Sequence, residues 1–218
     1  MPAFARKLGR PKDPDLEARR KAEILTAAAA AFSQTGFAGT QVQTVADRLG
    51  IGNGTVFRYF PTKEALFLAA VARGLAELHA EMDAVIAAPG DPLTQMRAAV
   101  RTYLKFFHDR PELAELFIQE RAAFRQHHRP LYFSAKDNHE RCQHDAFFAR
   151  LLKSGAIRPM PQERFFNVVG DLLYGTILTN LLSGRPVDPE AQATDVLDVI
   201  LNGVLAVPKP VKRKGGKA

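Results

Sequence analysis

The stretch TQVQTVADRLGIGNGTVFRYF, residues 40–60, decides how this chain folds. Two short apolar patterns of helical period flank a glycine. Val42, Val45, Ala46 and Leu49 precede it, and Val56, Tyr59 and Phe60 follow it. Ala46 is small enough for two helices to cross closely. Four residues later Gly50 supplies a left-handed turn that other residues adopt only at a cost. Six residues further on, Val56 plugs the second helix into the core. This is the spacing of a helix-turn-helix. Thr40 is expected to cap its first helix. Pro61 stops the second, because it lacks an amide and forces its predecessor out of α geometry.

Outward from this unit nothing alternates at period two, so the expected fold is all-α with about nine helices. Upstream, a helix over about Leu16–Gln34 presents Ile24, Leu25, Ala28, Ala31 and Phe32 on one face and ends at Gly36. Downstream, a long helix starts at Thr62 and runs to about Ala88. Asp91-Pro92 and Asp188-Pro189 are both start signals, an N-cap followed by a proline at the first helical position. Pro111 opens another helix, Pro130 to Ser154 brackets a seventh, and Gln162–Leu182 forms an eighth that is apolar over most of its circumference. The ninth is expected to end near Val207. The domain reading is a flexible basic arm (1–15), a helix-turn-helix domain (16–64), a larger helical domain (65–207), and a disordered basic tail (208–218).

Composition narrows the function. At 46% hydrophobic and 24% charged the chain has ordinary globular values, which excludes global disorder. One cysteine, Cys142, excludes an internal disulfide and a Cys-rich zinc site. No apolar run approaches about 18 residues, and the N-terminus lacks the apolar stretch of a secretory signal. The expected location is the cytoplasm, with no membrane partner. The formal charge of +7 is unevenly placed. Residues 1–64 hold 10 Lys and Arg against 6 Asp and Glu, and residues 207–218 hold 5 basic groups and no acid. Residues 65–206 hold 15 basic and 17 acidic groups. Basic ends on a nearly neutral body suit a polyanion at those ends.

The pattern I24-L25-x2-A28-x3-F32-x3-G36-F37-x2-T40, continued by V45-A46-x3-G50-I51-x2-G54-T55-V56-F57-R58-Y59-F60-x2-K63-E64-x-L66, resembles the TetR family of bacterial transcriptional regulators. The motifs cover residues 18–70. The resemblance implies a nine-helix homodimer with a small operator-binding domain and a larger domain that binds an effector. It implies dimerisation through the last two helices and, as the family's usual mode, repression, with activation the alternative. The lack of any nucleophile–base motif or phosphate loop argues against enzymatic activity.

The matched positions carry suitable chemistry. Gly52, Asn53, Gly54 and Thr55 form the first turn of the recognition helix, whose free amides suit a phosphate or a base edge. Asn53 can pair with adenine, and Arg58 can fork onto guanine or grip phosphate. Thr40, Thr55, Tyr59 and Lys63 suit phosphate oxygens, with Thr40 doing so while it caps. Tyr59 either does this or packs in the core. Two departures matter. Gly52 stands where relatives often have a capping Ser or Thr. Phe57 stands where Tyr is usual, so apolar contact replaces a phosphate bond. Arg10 and Lys12 resemble a minor-groove arm, an arrangement drawn to narrow A·T grooves. The tail lysines either add phosphate contacts or only solubilise.

The effector pocket is expected between the fourth and eighth helices. Its candidate lining is Tyr103, Phe106, Phe107, Phe117, Phe124, Phe147 and Phe148, with Glu120 or Arg121 on the sixth helix and Asn138, Cys142 and Asp145 on the seventh. Polar groups on core faces are costly without a partner. The effector expected is a small, largely apolar molecule. The dimer face is read as Phe166, Val169, Leu173, Ile177 and Leu181 with Val196, Ile200 and Val204, since a helix apolar all round must bury two sides. His127, His128, His139 and His144 lack ligand spacing, so no metal and no cofactor are expected. The alternative to a regulator is a sequence-independent nucleoid-type DNA binder.

Overall fold

The computed structural model describes residues 14–124, 131 and 138–203. Among these there are nine helices and no strand, as expected from the periodicity. Helix α1 spans Pro14–Gly39, two residues earlier than the apolar pattern suggested, and is broken at Gly36 (φ 75°, ψ 166°). It buries Ile24, Leu25, Ala28, Ala31 and Phe32, the face read from the sequence.

Helices α2 (Val42–Arg48) and α3 (Asn53–Tyr59) form the helix-turn-helix. Gly50 adopts φ 61°, its amide donating to the Asp47 carbonyl, while the Ile51 amide returns to Ala46. Val45, Ala46 and Val56 are fully buried where the two helices meet. The 46–50–56 spacing is therefore a packing requirement. Tyr59 is the last residue of α3, and Phe60 beside Pro61 closes it.

Helix α4 (Lys63–Ala87) is capped by Thr62, whose hydroxyl accepts the Ala65 amide at 3.0 Å. Its first turns bury Leu66, Phe67, Ala70 and Val71 against α1, and its last turns reach Ile86 at the far end of the protein. At mid-helix Gly74 lies so close to the next layer that a Cβ there would meet Leu113 Cδ2 at 2.7 Å. Helix α5 (Pro92–Asp109) is capped by Asp91, which accepts from the Thr94 amide (2.8 Å) and hydroxyl (2.9 Å). Helix α6 (Pro111–Ala123) packs on α1, and Gln119 donates to the Phe32 carbonyl at 3.1 Å. Helix α7 is described from Asn138 to Lys153; the expected start at Pro130 lies outside the described residues. Helices α8 (Gln162–Ser183) and α9 (Pro189–Asn202) follow, the latter capped by Asp188 and lying on α5. The expected end near Val207 is outside the described residues.

One buried cluster runs without interruption from α1–α3 through α4, α5 and α6 to α8 and α9. Phe32, Phe37, Phe67 and Phe124 tie α1, α4 and the end of α6 with ring centroids 4.8–6.1 Å apart. Edge-on pairs of this kind add about 0.5–1.5 kcal/mol beyond their buried area. Arg73 adds a polar tie. From α4 it donates to the Ala22 carbonyl (2.5 Å) and the Thr26 hydroxyl (2.9 Å) of α1. A second cluster, with Ile86, Met96, Phe147, Phe148, Leu151 and Phe165, fills the opposite end.

Helix α8 corrects one expectation. By length and composition it is long and apolar enough to cross a membrane, although Asn167, Asp171 and Thr176 interrupt any continuous apolar run. Its outer side leaves Val168 62% and Leu182 74% exposed.

Candidate functional site

Helix α3 is fixed from beneath by Val56 and presents its other sides outward. Gly52, Gly54, Phe57 and Arg58 are exposed, while Asn53, Thr55 and Tyr59 are half-buried. Gly52 is the N-cap and offers no side-chain cap; its carbonyl accepts the Thr55 amide at 2.8 Å, and it supplies no acceptor for the amides of Asn53 and Gly54. The Arg58 guanidinium rests over the Tyr59 ring at 5.1 Å from its centroid and donates to its hydroxyl at 3.5 Å. Tyr59 also packs against the core, the second of the two readings of that residue. Asn53 turns its Oδ1 inward, where it finds no partner. Bidentate pairing with adenine therefore requires the amide to rotate outward. Lys63 holds the start of α4 to the end of α1, donating to the Ala38 carbonyl at 3.1 Å and lying over the Phe37 ring.

Thr40 is a correction. It is 2% exposed and is not a cap; Gln41 occupies that position. Its hydroxyl bonds to the Gly36 carbonyl (2.7 Å) and to Thr35 (2.7 Å). A β-branched residue after a kinked helix is drawn inward to satisfy the broken turn, so it is not available to phosphate. The polar residues that do face outward around α2 are Gln41, Gln43, Thr44, Asp47 and Arg48. Their signal was present as polar positions interleaved with Val42 and Val45. Arg10 and Lys12 lie outside the described residues.

A cavity of about 320 Å³ lies among α4, α5, α7 and α8. Its walls are mostly apolar, with Met82, Ile86, Val100, Phe147 and Phe165 prominent, and its polar groups are His79, Asp83, Tyr103, His144 and Asn167. Of the expected lining Tyr103 and Phe147 are there, while Phe106, Phe124 and Phe148 are buried in the core. Phe107 and Phe117 are buried in an edge-on aromatic chain with Tyr103, at 5.1 and 5.7 Å. Glu120 is 1% exposed in the core, where it accepts the Leu131 amide at 2.9 Å. Burial, and secondarily the Glu120 charge, pushes the nearby Tyr174 hydroxyl pKa up. Arg121 points to solvent, one position round the helix from Glu120. Asp145 is exposed and accepts from Gln162 at 2.5 Å. Helix α7 turns Phe147, Phe148 and Leu151 inward, and this puts Asp145 outside. The side chains of Asn138 and Cys142 lie outside the described residues.

The missed residues His79 and Asp83 sit four apart on α4, within the Leu75–Leu78–Met82–Ile86 stripe. Polar residues interrupting an apolar stripe were the available signal. Among the described residues no group of three or more His, Cys, Asp or Glu could hold a metal ion.

The expected interface residues are also redistributed. Leu173 and Ile177 are buried in their own core, and Phe166, Val169, Leu181, Val196 and Ile200 are half-buried against it. Val204 lies outside the described residues. The outward apolar positions are Val168, Leu172 and Leu182 of α8 and Val199 of α9.

Residues 24–70 match the family model described as bacterial regulatory proteins, tetR family. The chain is 31% identical over 157 residues to the HTH-type transcriptional regulator RutR of Escherichia coli (strain K12), covering 70% of this chain and 71% of that protein. It is 30% identical over 205 residues to the HTH-type transcriptional regulator BetI of Paraburkholderia xenovorans, covering 84% and 93%. Its fold is shared with the transcriptional regulator FadR from Bacillus subtilis, solved in complex with stearoyl-CoA. There the TM-score is 0.69 at 18% identity, over 84% of this chain and 99% of that one.

Proposed function

Because the chain belongs to the TetR family of bacterial regulatory proteins, and is thus a transcriptional regulator and not an enzyme, we propose that it acts in the cytoplasm as a homodimeric repressor released by a small-molecule effector. Residues 16–64 would form the DNA-binding domain and residues 65–207 the domain for effector binding and dimerisation. The observation that carries this reading is the α3 surface: Val56 anchors the helix while Phe57 and Arg58 stand exposed beside the half-buried Asn53. A helix presented in this way enters a major groove, where Asn and Arg match the edges of adenine and guanine. Phe57, 40% exposed, meets a thymine methyl or a sugar edge. Tyr59, Thr55 and Lys63 then face the phosphates that fix register.

One copy of so short a helix reads few bases, so specificity calls for a second. The uncovered apolar positions on α8 and α9 supply it, because a two-fold pairing buries the same patch on both copies and aligns two α3 helices with a palindrome. The cavity takes the effector. Helix α4 lines that cavity at one end and is packed against α1 at the other, so an effector that favours one tilt of α4 alters the spacing of the recognition helices.

The test begins with operator fragments selected from genomic DNA and their titration by fluorescence anisotropy. Asn53→Ala and Arg58→Ala should each weaken specific binding about tenfold or more, with little change on scrambled DNA. An unchanged specific-to-scrambled ratio in both variants overturns base reading and favours a sequence-independent binder.

A further inference from the structure

The sign of charge in the α4–α5–α7–α8 cavity bears on what it accepts. Among the described residues lining it there is one acid, Asp83, and no Lys or Arg. Asp83 is half-buried, and among the described residues nothing donates to its carboxylate or pairs with it. Arg150, which reaches this end of α4, is not part of the lining. It donates to the Ile86 carbonyl at 2.5 Å and lies over the Phe147 ring. A carboxylate drawn partly out of water without a partner is costly, and a cation beside it repays that cost.

The opposite wall is aromatic. Phe165 and Phe166 meet edge-on at 5.2 Å, and His144 stacks on Phe166 at 5.0 Å. Ring faces attract cations, and more strongly where water is thin. His79, one turn before Asp83 on the same face of α4, adds an imidazole able to hydrogen-bond a polar substituent. Among the described residues of this lining an anionic amphiphile would meet one carboxylate and no Lys or Arg.

We propose that this cavity selects a compact lipophilic cation, an organic ammonium or pyridinium seated between the Asp83 carboxylate and the Phe165–Phe166 wall. The inference rests on the reading of the cavity as the effector site. Its volume, about 320 Å³, suits a ligand of one or two fused or linked rings rather than a long acyl chain.

The experiment uses the full chain and three dyes of one shape: a dimethylaminostyryl-N-methylpyridinium cation, uncharged dimethylaminostilbene, and the anionic dimethylaminostilbene carboxylate. Binding is read as the rise in dye fluorescence on immobilisation. The chain contains no tryptophan to interfere. The cation should bind about tenfold more tightly than the neutral dye, the effect of one partly screened charge contact. Asp83→Asn should remove that advantage and leave the neutral dye unchanged, and Asp83→Glu should retain it. Ala99→Leu, which fills the cavity from α5, should weaken both.

If the neutral or anionic dye binds as well as the cation, or if Asp83→Asn weakens all dyes alike, the charge selection is wrong. Should Ala99→Leu still weaken binding in that case, the effector-site reading stands without it. If no dye binds, or if Ala99→Leu changes nothing, the effector-site reading fails together with the inference.

Discussion

Gly36 and Gly50 hold the backbone in its left-handed half, at φ 75° and 61°, and a Cβ added to either would meet nothing within 4 Å. Alanine at these positions therefore measures conformational strain without a steric contribution. For Gly50 the left-handed region costs an L-residue about 1–2 kcal/mol. The stiffer unfolded chain returns about 0.4–1 kcal/mol, leaving a net loss of about 1 kcal/mol. Gly36 combines its positive φ with ψ 166°, a region that is essentially glycine-only and costs about 1–3 kcal/mol. Its net loss should reach about 1–2 kcal/mol. Gly52 is the control, because φ −72° and ψ 144° are open to any residue. Serine there adds a capping oxygen and should gain a few tenths to about 1 kcal/mol. For a chain of this size 1 kcal/mol moves the melting midpoint by about 2–4 °C. Calorimetry at one fixed protein concentration should place Gly52→Ser above wild type, Gly50→Ala about 2–4 °C below it, and Gly36→Ala lower still. Wild-type midpoints for both alanine variants, or a fall in Gly52→Ser as large as theirs, would refute the reasoning.

The Asp91 cap gives a pH signature. Bonds from the Thr94 amide and then its hydroxyl hold the carboxyl below its ordinary 3.8, so its contribution is present above that value and lost as the pH falls through the lowered one. Asp91→Ala should melt below wild type near neutrality, and the gap should close as the pH drops below 3.8; a gap of constant size would show that the carboxylate is not responsible. At the outer face of α8, Leu172→Glu places two like charges across a two-fold contact. It should weaken dimerisation about a hundredfold or more by light scattering while leaving the helical circular dichroism intact. A dimer of wild-type affinity would move the interface elsewhere.

The local chemistry of the fold was legible because single residues settle it. Gly36, Gly50, Thr62, Asp91-Pro92 and Asp188-Pro189 each sit where a turn or cap needs them. Orientation was harder. Helix α8 is apolar over most of its circumference, so its apolar pattern did not separate Leu173 and Ile177, which face the core, from Val168 and Leu172, which face out beside Asn167 and Asp171. On α6, Glu120 and Arg121 are neighbours about 100° apart, and only tertiary packing decides which is buried. Thr40 carried a cap-like side chain, and the break at Gly36 created a nearer carbonyl for it. The cavity lies between α4 and α8 as expected, but of the aromatic residues read as its lining only Tyr103 and Phe147 face it, because the other rings fill the core. His79 and Asp83, which do line it, interrupt the apolar stripe of a long helix whose interior was not read residue by residue.

The contact between Gly74 and Leu113 divides α4 almost evenly. Eleven residues separate Gly74 from Lys63 and twelve separate it from Ile86, lengths of about 16 and 18 Å. A rigid bar pivoting on that point is an equal-armed lever. One ångström of push at the cavity end returns as nearly one ångström at the operator end, in the opposite direction. The mirrored motion of a second subunit would double it, to more than half the 3.4 Å rise of a base pair. Equal arms trade away amplification and keep force, so a small ligand that shifts α4 only slightly would still work against the full grip of the recognition helices. A bulkier side chain at Gly74 would move the fulcrum rather than either site.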